Sequence, residues 1–197
     1  MLPAFLTHYY RQRPFRSLTE LSEEECDRVL AEMRSRGKLP RRLESEFYFR
    51  ERRRYEALMR EAFARKGGRP QRRTPHYAIL GESEIWARIY PDRVQIPLAE
   101  LPHDCVSFTY TDSWSAFVDR DLDGNLIPRK PQYGTVYLRV ELEGLFDRFG
   151  WPGDRWQTEV EWEHDLYVEA QIWRDEPLLA FLPSRADGNH ELNALHE

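Results

Sequence analysis

Glycine and cysteine are scarce in this chain, and it has no long apolar run. Only 10 glycines stand among 197 residues. None belongs to a phosphate-cradling loop, to a nucleophile elbow of the Gly-x-Ser-x-Gly type, or to a dinucleotide fingerprint, so the large enzyme classes built on those motifs are disfavoured. The two cysteines, Cys26 and Cys105, lie far apart in otherwise apolar patterns and read as reduced core residues of a cytoplasmic protein. Met1 to Leu6 is too short for the apolar part of a signal peptide, and no run approaches the ~18 residues of a membrane span. A soluble protein without a membrane partner is expected. The six histidines are His8, His76, His103, His164, His190 and His196; no two are four apart and none adjoins a cysteine, so no metal site is expected.

The composition that remains is that of an ordered globular protein, 41% hydrophobic and 13% aromatic. A chain of this length suits one domain that buries about 70% of its unfolded surface. We expect a single domain over residues 1–183 and a polar, mobile tail over 184–197. The net charge of −5 conceals a division. Residues 1–73 carry 19 Lys+Arg against 11 Asp+Glu, and residues 74–197 carry 10 against 23. The basic part therefore faces an anionic partner, or it packs against the acidic part of its own chain or of a second subunit in a homodimer.

Periodicity divides the chain at the same place. In the first part, Ser22-Glu-Glu-Glu25 fits a capping box, Cys26, Val29, Leu30 and Met33 form one helical face, and Gly37 sits where a left-handed C-cap belongs. Glu44 to Lys66 is the longest helical pattern, with Phe47 or Tyr48, Tyr55, Leu58, Met59, Ala62 and Phe63 on one side and Gly67-Gly68 at its end. Its other side is arginine. From Arg41 to Arg73 there are 12 Lys+Arg against 5 Asp+Glu, densest at Arg52, Arg53 and Arg54. Arginine's fixed fork of donors matches phosphate or carboxylate, so these three are the candidate anion-binding residues; the plainer reading is a solvated face with Glu–Arg pairs one turn apart.

Beyond residue 73 the period becomes 2. His76–Leu80, Arg93–Leu98 and Val106–Thr111 read as strands, with Pro97 marking an edge. Leu138 or Arg139 to Phe149 reads as a helix, and Trp156–Trp162 and Leu178–Leu182 as further strands. The clearest alternation runs from Leu166 to Pro177, placing Leu166, Val168, Ala170 and Ile172 on one face and Tyr167, Glu169, Gln171 and Trp173 on the other. Helices first and strands later predict an α+β fold, a mostly antiparallel sheet with the arginine-rich helical pair against one face. Asp119 to Gly124 begins like a calcium loop, but Lys130 stands where the bidentate Glu belongs, and a hairpin turn is the better reading.

One ordered set is left: His8-Tyr9-Tyr10 in a first strand, then Ser107 and Tyr110 on a middle strand, then Glu169 on a late one. This order resembles the His-Tyr-Glu arrangement of ADP-ribosyltransferase-like proteins over three short patches. The resemblance implies NAD as substrate, held at its ribose by His8 and stacked at its nicotinamide by Tyr110, with Ser107 beside it and Glu169 stabilising an oxocarbenium-like transition state. Tyr133 and Tyr137 are equally placed for the tyrosine role. A second reading, from another class, is a non-enzymatic protein whose Arg41–Arg73 surface holds nucleic acid or an acidic partner.

Overall fold

In a computed structural model of the chain, residues 2–11, 13–37, 43, 46–120, 124–152 and 166–182 are described. The fold is α+β, and every strand pairing in it is antiparallel. Five strands, β1 (Phe5–Tyr10), β2 (His76–Leu80), β3 (Asp92–Pro97), β4 (Val106–Thr109) and β5 (Glu169–Ile172), lie in the order β3-β1-β2-β5-β4. The α-helices are α1 (Glu23–Ser35), α2 (Glu46–Arg65), α3 (Glu84–Ile89), α4 (Ser113–Phe117) and α5 (Leu142–Phe149).

The helix ends follow the local chemistry. Ser22 and Glu25 form the expected capping box of α1, and Gly37 has the positive φ of 63° that the end of the helix requires. α2 stops at Gly67 and Gly68. A Cβ on Gly68 would lie 2.5 Å from the Phe63 ring, so only glycine fits beneath that side chain. Val106–Thr109 and Glu169–Ile172 pair through Ser107 with Gln171 and Thr109 with Glu169, so the polar residues of the two strands share one face. Pro97 ends β3 on an edge, where its missing donor costs no ladder bond.

Both faces of the sheet are covered, where helices on one face alone were expected. Ala78, Leu80, Ile96, Phe108, Ala170 and Ile172 form the first core with Leu142 and Leu145 of α5. Tyr77 and Trp173 of the other face meet Tyr55, Met59 and Phe63 of α2 and Ala116 and Phe117 around α4. β5 lies inside the sheet, so its two faces are both needed for packing, and that is why its alternation stands out in the sequence.

Two readings change. Leu178–Leu182 is not a strand; Glu176–Phe181 is a 3-10 turn, begun by Pro177, whose fixed φ and missing N–H suit a helical first turn. Phe117 closes α4 rather than opening a hairpin arm, although Arg120 and Leu126 do form an antiparallel bridge across the proposed turn. The strand expected over Trp156–Trp162 and the tail 184–197 lie outside the described residues. Cys26 and Cys105 are buried and unpaired. Among the described residues no helix is long and apolar enough to cross a membrane.

Candidate functional site

The site begins with a break in the sheet. β1 pairs with β3 along its whole length, but with β2 only through Leu6–Leu80 and Thr7–Ile79. Past Thr7 the ladder to β2 stops, and the His8 side chain takes its place: Nδ1 lies 2.6 Å from the Tyr77 carbonyl. A carbonyl only accepts, so Nδ1 carries the proton. Nε2 is then the acceptor for the Phe15 N–H at 2.9 Å. Phe15 is held at φ 58°, an uncommon conformation for a bulky residue, and its ring stacks on His8 at 4.6 Å. Burial pushes the His8 imidazole down to about 4, so it is neutral throughout the physiological range.

Beside this break lies a cavity of about 450 Å³. His8 of β1, Tyr77 of β2 and Glu169 of β5 line it from the sheet, and Tyr48, Arg52 and Tyr55 line it from α2. Trp86 and Tyr90, at α3, and Trp114 of α4 complete walls that are mainly aromatic. Trp114 stacks on Tyr48 at 5.1 Å, and Trp86 on Tyr90 at 5.3 Å. Flat surfaces with few polar groups suit a planar ring, and a pocket of this size suits a small molecule.

Of the two carboxylates on the lining, Asp112 and Glu169, the one borne on the sheet is Glu169. Its Oε1 accepts the Ser113 N–H at 3.1 Å and a Gln171 amide hydrogen at 3.3 Å. Burial, and next the charge of Asp112, raise its pKa to about 7, against the opposing pull of the Ser113 bond, Arg52 and Gln171. The carboxyl thus changes charge near neutrality, which is a property of acid–base and charge-stabilising groups.

Arg16 also lines the cavity, and the cation of its α2 wall is Arg52. Its Nε donates to Glu56 Oε1 at 3.1 Å and its Nη1 to the Tyr48 hydroxyl at 2.6 Å, and its guanidinium lies 4.6 Å from the centre of the Tyr77 ring. Glu56 is itself buried and also takes the hydroxyls of Tyr77 at 2.8 Å and Thr19 at 3.1 Å. The Tyr77 hydroxyl on Glu56 and the Tyr77 ring under Arg52 fix the α2 wall of the cavity to β2.

Of the residues singled out in the sequence, His8, Arg52 and Glu169 come together here. Tyr110 and Ser107 do not. Tyr110 faces the first core, where its hydroxyl donates to the carbonyls of Phe149 at 2.8 Å and Gly150 at 2.9 Å. Ser107 is wholly buried between Gln171 and Trp173. Arg53 and Arg54 do not join Arg52: Arg53 pairs with Glu23 at 3.1 Å, and Arg54 with Glu51 at 2.7 Å. Successive helix positions turn by about 100°, so three adjacent arginines cannot present one face.

Sequence reasoning missed Tyr48, Tyr55 and Tyr77. The signal was present. Tyr48, Arg52 and Tyr55 follow the i, i+4, i+7 spacing of one helix face, and Tyr77 alternates with His76 and Ala78 in β2. Among the described residues no group of three His, Cys, Asp or Glu is placed to hold a metal. Comparison with protein-family models, curated proteins and solved structures found no match.

Proposed function

We propose that the cavity binds NAD and that the protein breaks the bond between nicotinamide and ribose, in the manner of the ADP-ribosyltransferase-like proteins that the order of His8 and Glu169 resembles. The observation that carries this reading is that His8 of the first strand and Glu169 of the last line one aromatic-walled cavity. Tyr77, on the strand between theirs, replaces Tyr110 in the stacking role. The cavity takes the nicotinamide riboside half, and the phosphates extend toward the exposed Arg16 on its lining.

The chemistry needs no group beyond these. The C1′–N bond breaks with both electrons going to the nicotinamide nitrogen, so nicotinamide leaves neutral and the ribose becomes an oxocarbenium cation. Glu169, as carboxylate, faces that charge from a fixed position on the cavity wall, where a preorganised opposite charge stabilises the transition state. The cationic pyridinium of the bound substrate favours the ionised form of Glu169 and so prepares it before the bond breaks. Attack on C1′ by water or by an acceptor nucleophile, with loss of its proton, completes the transfer.

The nucleic-acid reading has less support, because Arg52, Arg53 and Arg54 each pair with a carboxylate of the same chain and do not share one face. A thermal melt with NAD, combined with chromatographic measurement of released nicotinamide, tests the proposal. At ~100 times the dissociation constant, bound NAD adds about 2.7 kcal/mol, or roughly 5–11 °C for a domain of this size. Glu169→Gln is expected to keep the shift and to lose nicotinamide release by ~100-fold or more. Neither shift nor release at millimolar NAD would overturn the proposal.

A further inference from the structure

Beneath Glu169 lies a run of buried polar side chains that touches nothing outside the protein. Trp173, Ser107, Gln171 and Thr109 are each fully enclosed between β4 and β5. The Trp173 Nε1–H donates to Ser107 Oγ at 2.9 Å, and Ser107 Oγ–H donates to Gln171 Oε1 at 3.0 Å. The Gln171 amide nitrogen donates to Thr109 Oγ1 at 3.1 Å and to Glu169 Oε1 at 3.3 Å. Thr109 Oγ1–H goes on to the Thr111 carbonyl at 2.7 Å.

The orientation of the amide follows from donor counting at both ends. An indole N–H only donates, so Ser107 accepts from Trp173 and has one hydrogen left, which requires an oxygen on Gln171. The Thr111 carbonyl only accepts, so Thr109 spends its one hydrogen there and requires a nitrogen on Gln171. Both conditions give the same orientation, with the amide nitrogen toward Glu169. A flipped amide would leave Ser107 facing a donor and Thr109 facing an acceptor, each fully buried, at the cost of unmade hydrogen bonds.

We infer that Gln171 is a positioning residue for Glu169: locked by Trp173 and Ser107 on one side and Thr109 on the other, its amide holds the carboxylate in one orientation toward the cavity. The inference rests on Glu169 as the reacting group of the proposed function. The backbone N–H of Ser113 fixes the same oxygen from α4, so the carboxylate is gripped from two directions. The other ionisable groups around it are Asp112 at the start of α4, Arg52 and Tyr55 on α2, and Tyr77 on β2. Tyr77 lies opposite Gln171 across the paired strands and packs with Tyr55 and Trp173, and beside these ring contacts the hydrogen-bonded route from Ser107 to Glu169 runs through the amide.

The test reads Glu169 directly. Protein labelled with ¹³C at the glutamate side-chain carboxyl is titrated by NMR, and the Glu169 signal is identified by its loss in Glu169→Gln. A hydrogen bond that favours the ionised form is removed in Gln171→Leu and loosened in Ser107→Ala. The midpoint of Glu169 is therefore expected to rise by about half a pH unit or more in Gln171→Leu, and by a smaller amount in the same direction in Ser107→Ala. An unchanged midpoint in folded Gln171→Leu overturns the inference. If that variant does not fold, Ser107→Ala decides alone, and an unchanged midpoint there overturns it equally. The titration uses protein without NAD. A shifted midpoint in a protein that never releases nicotinamide would leave the positioning role standing and remove the proposed reaction, whereas nicotinamide release with an unmoved midpoint would do the reverse.

Discussion

Glu169 and His8 are perturbed by the same burial in opposite directions, and their effects on stability have opposite signs. The Glu169 carboxyl is raised from 4.5 to about 7 in the fold, so between those values the folded protein holds a proton that the unfolded chain has released. Stability from this group is greatest below pH 4.5 and is lost as pH rises through 7, by on the order of 3 kcal/mol. Glu169→Gln removes that loss. The variant is expected to melt well above the parent at pH 8 and level with it at pH 4; equal curves at both pH values would show that the carboxylate is not buried at a cost. His8, lowered from 6.5 to about 4, contributes stability that is present above 6.5 and lost as pH falls toward 4. His8 and Glu169 could be picked out of the sequence because each is a polar residue set in a strand pattern. Tyr110 was misassigned because alternation gives two faces without saying which one carries the cavity, and its hydroxyl meets the carbonyls that follow α5.

At the scale of elements, α2 is held on the sheet by its apolar stripe and by Tyr77, whose hydroxyl donates to Glu56 and whose ring lies under Arg52, the two members of an ion pair within the helix. Glu56 is 1% exposed and gathers Arg52, Tyr77 and Thr19 from three elements. Removing one member of such a pair strands the other, so Arg52→Met is expected to cost about 3–5 kcal/mol. The double variant Arg52→Met with Glu56→Leu should recover a substantial part of that, since neither charge is left alone. Urea melts of the two single variants and the double one check this, and strict additivity would show that the pair is not coupled. The helices α1, α2 and α5 were readable, because capping residues, glycine stops and an apolar stripe are local: Ser22, Gly37, Gly67 and Gly68 do what their positions announce, whereas α3 and α4 are too short to show a stripe and were not foreseen. The inward turn of Arg52 was readable only by counting from Tyr48 and Tyr55 along the helix, since a run of adjacent arginines looks like surface in one dimension. The early end of β1's pairing with β2 has no signal in strand periodicity at all, because it depends on a side chain, His8, standing in for a backbone partner.

Across the whole molecule, the two oppositely charged parts of the chain meet each other. Lys66 binds both oxygens of Glu141 at 2.8 Å, Arg69 lies 3.7 Å from Asp104, and Arg72 pairs with Asp175. Arg60 uses its guanidinium on the carbonyls of Arg72 and Pro70, closing the turn that leads from α2 into β2. Segregated charge in a sequence therefore admits an intramolecular explanation, which only the tertiary structure reveals, since the pairs join residues far apart in the chain. The consequence is measurable. With much of its arginine committed internally, the protein is expected to show no melting shift with short single- or double-stranded oligonucleotides at 50 mM salt. A real phosphate-binding face with several contacts would give a shift at low salt that collapses at ~200 mM, since affinity falls steeply as counterions are restored. NAD held in the cavity by stacking on aromatic walls, with its phosphates at the single exposed Arg16 on the lining, should keep most of its effect across the same change, because the stacked half is screened far less than an array of exposed phosphate contacts. An oligonucleotide shift that disappears with salt, beside no shift with NAD, would move the function from the cavity to the helix surface.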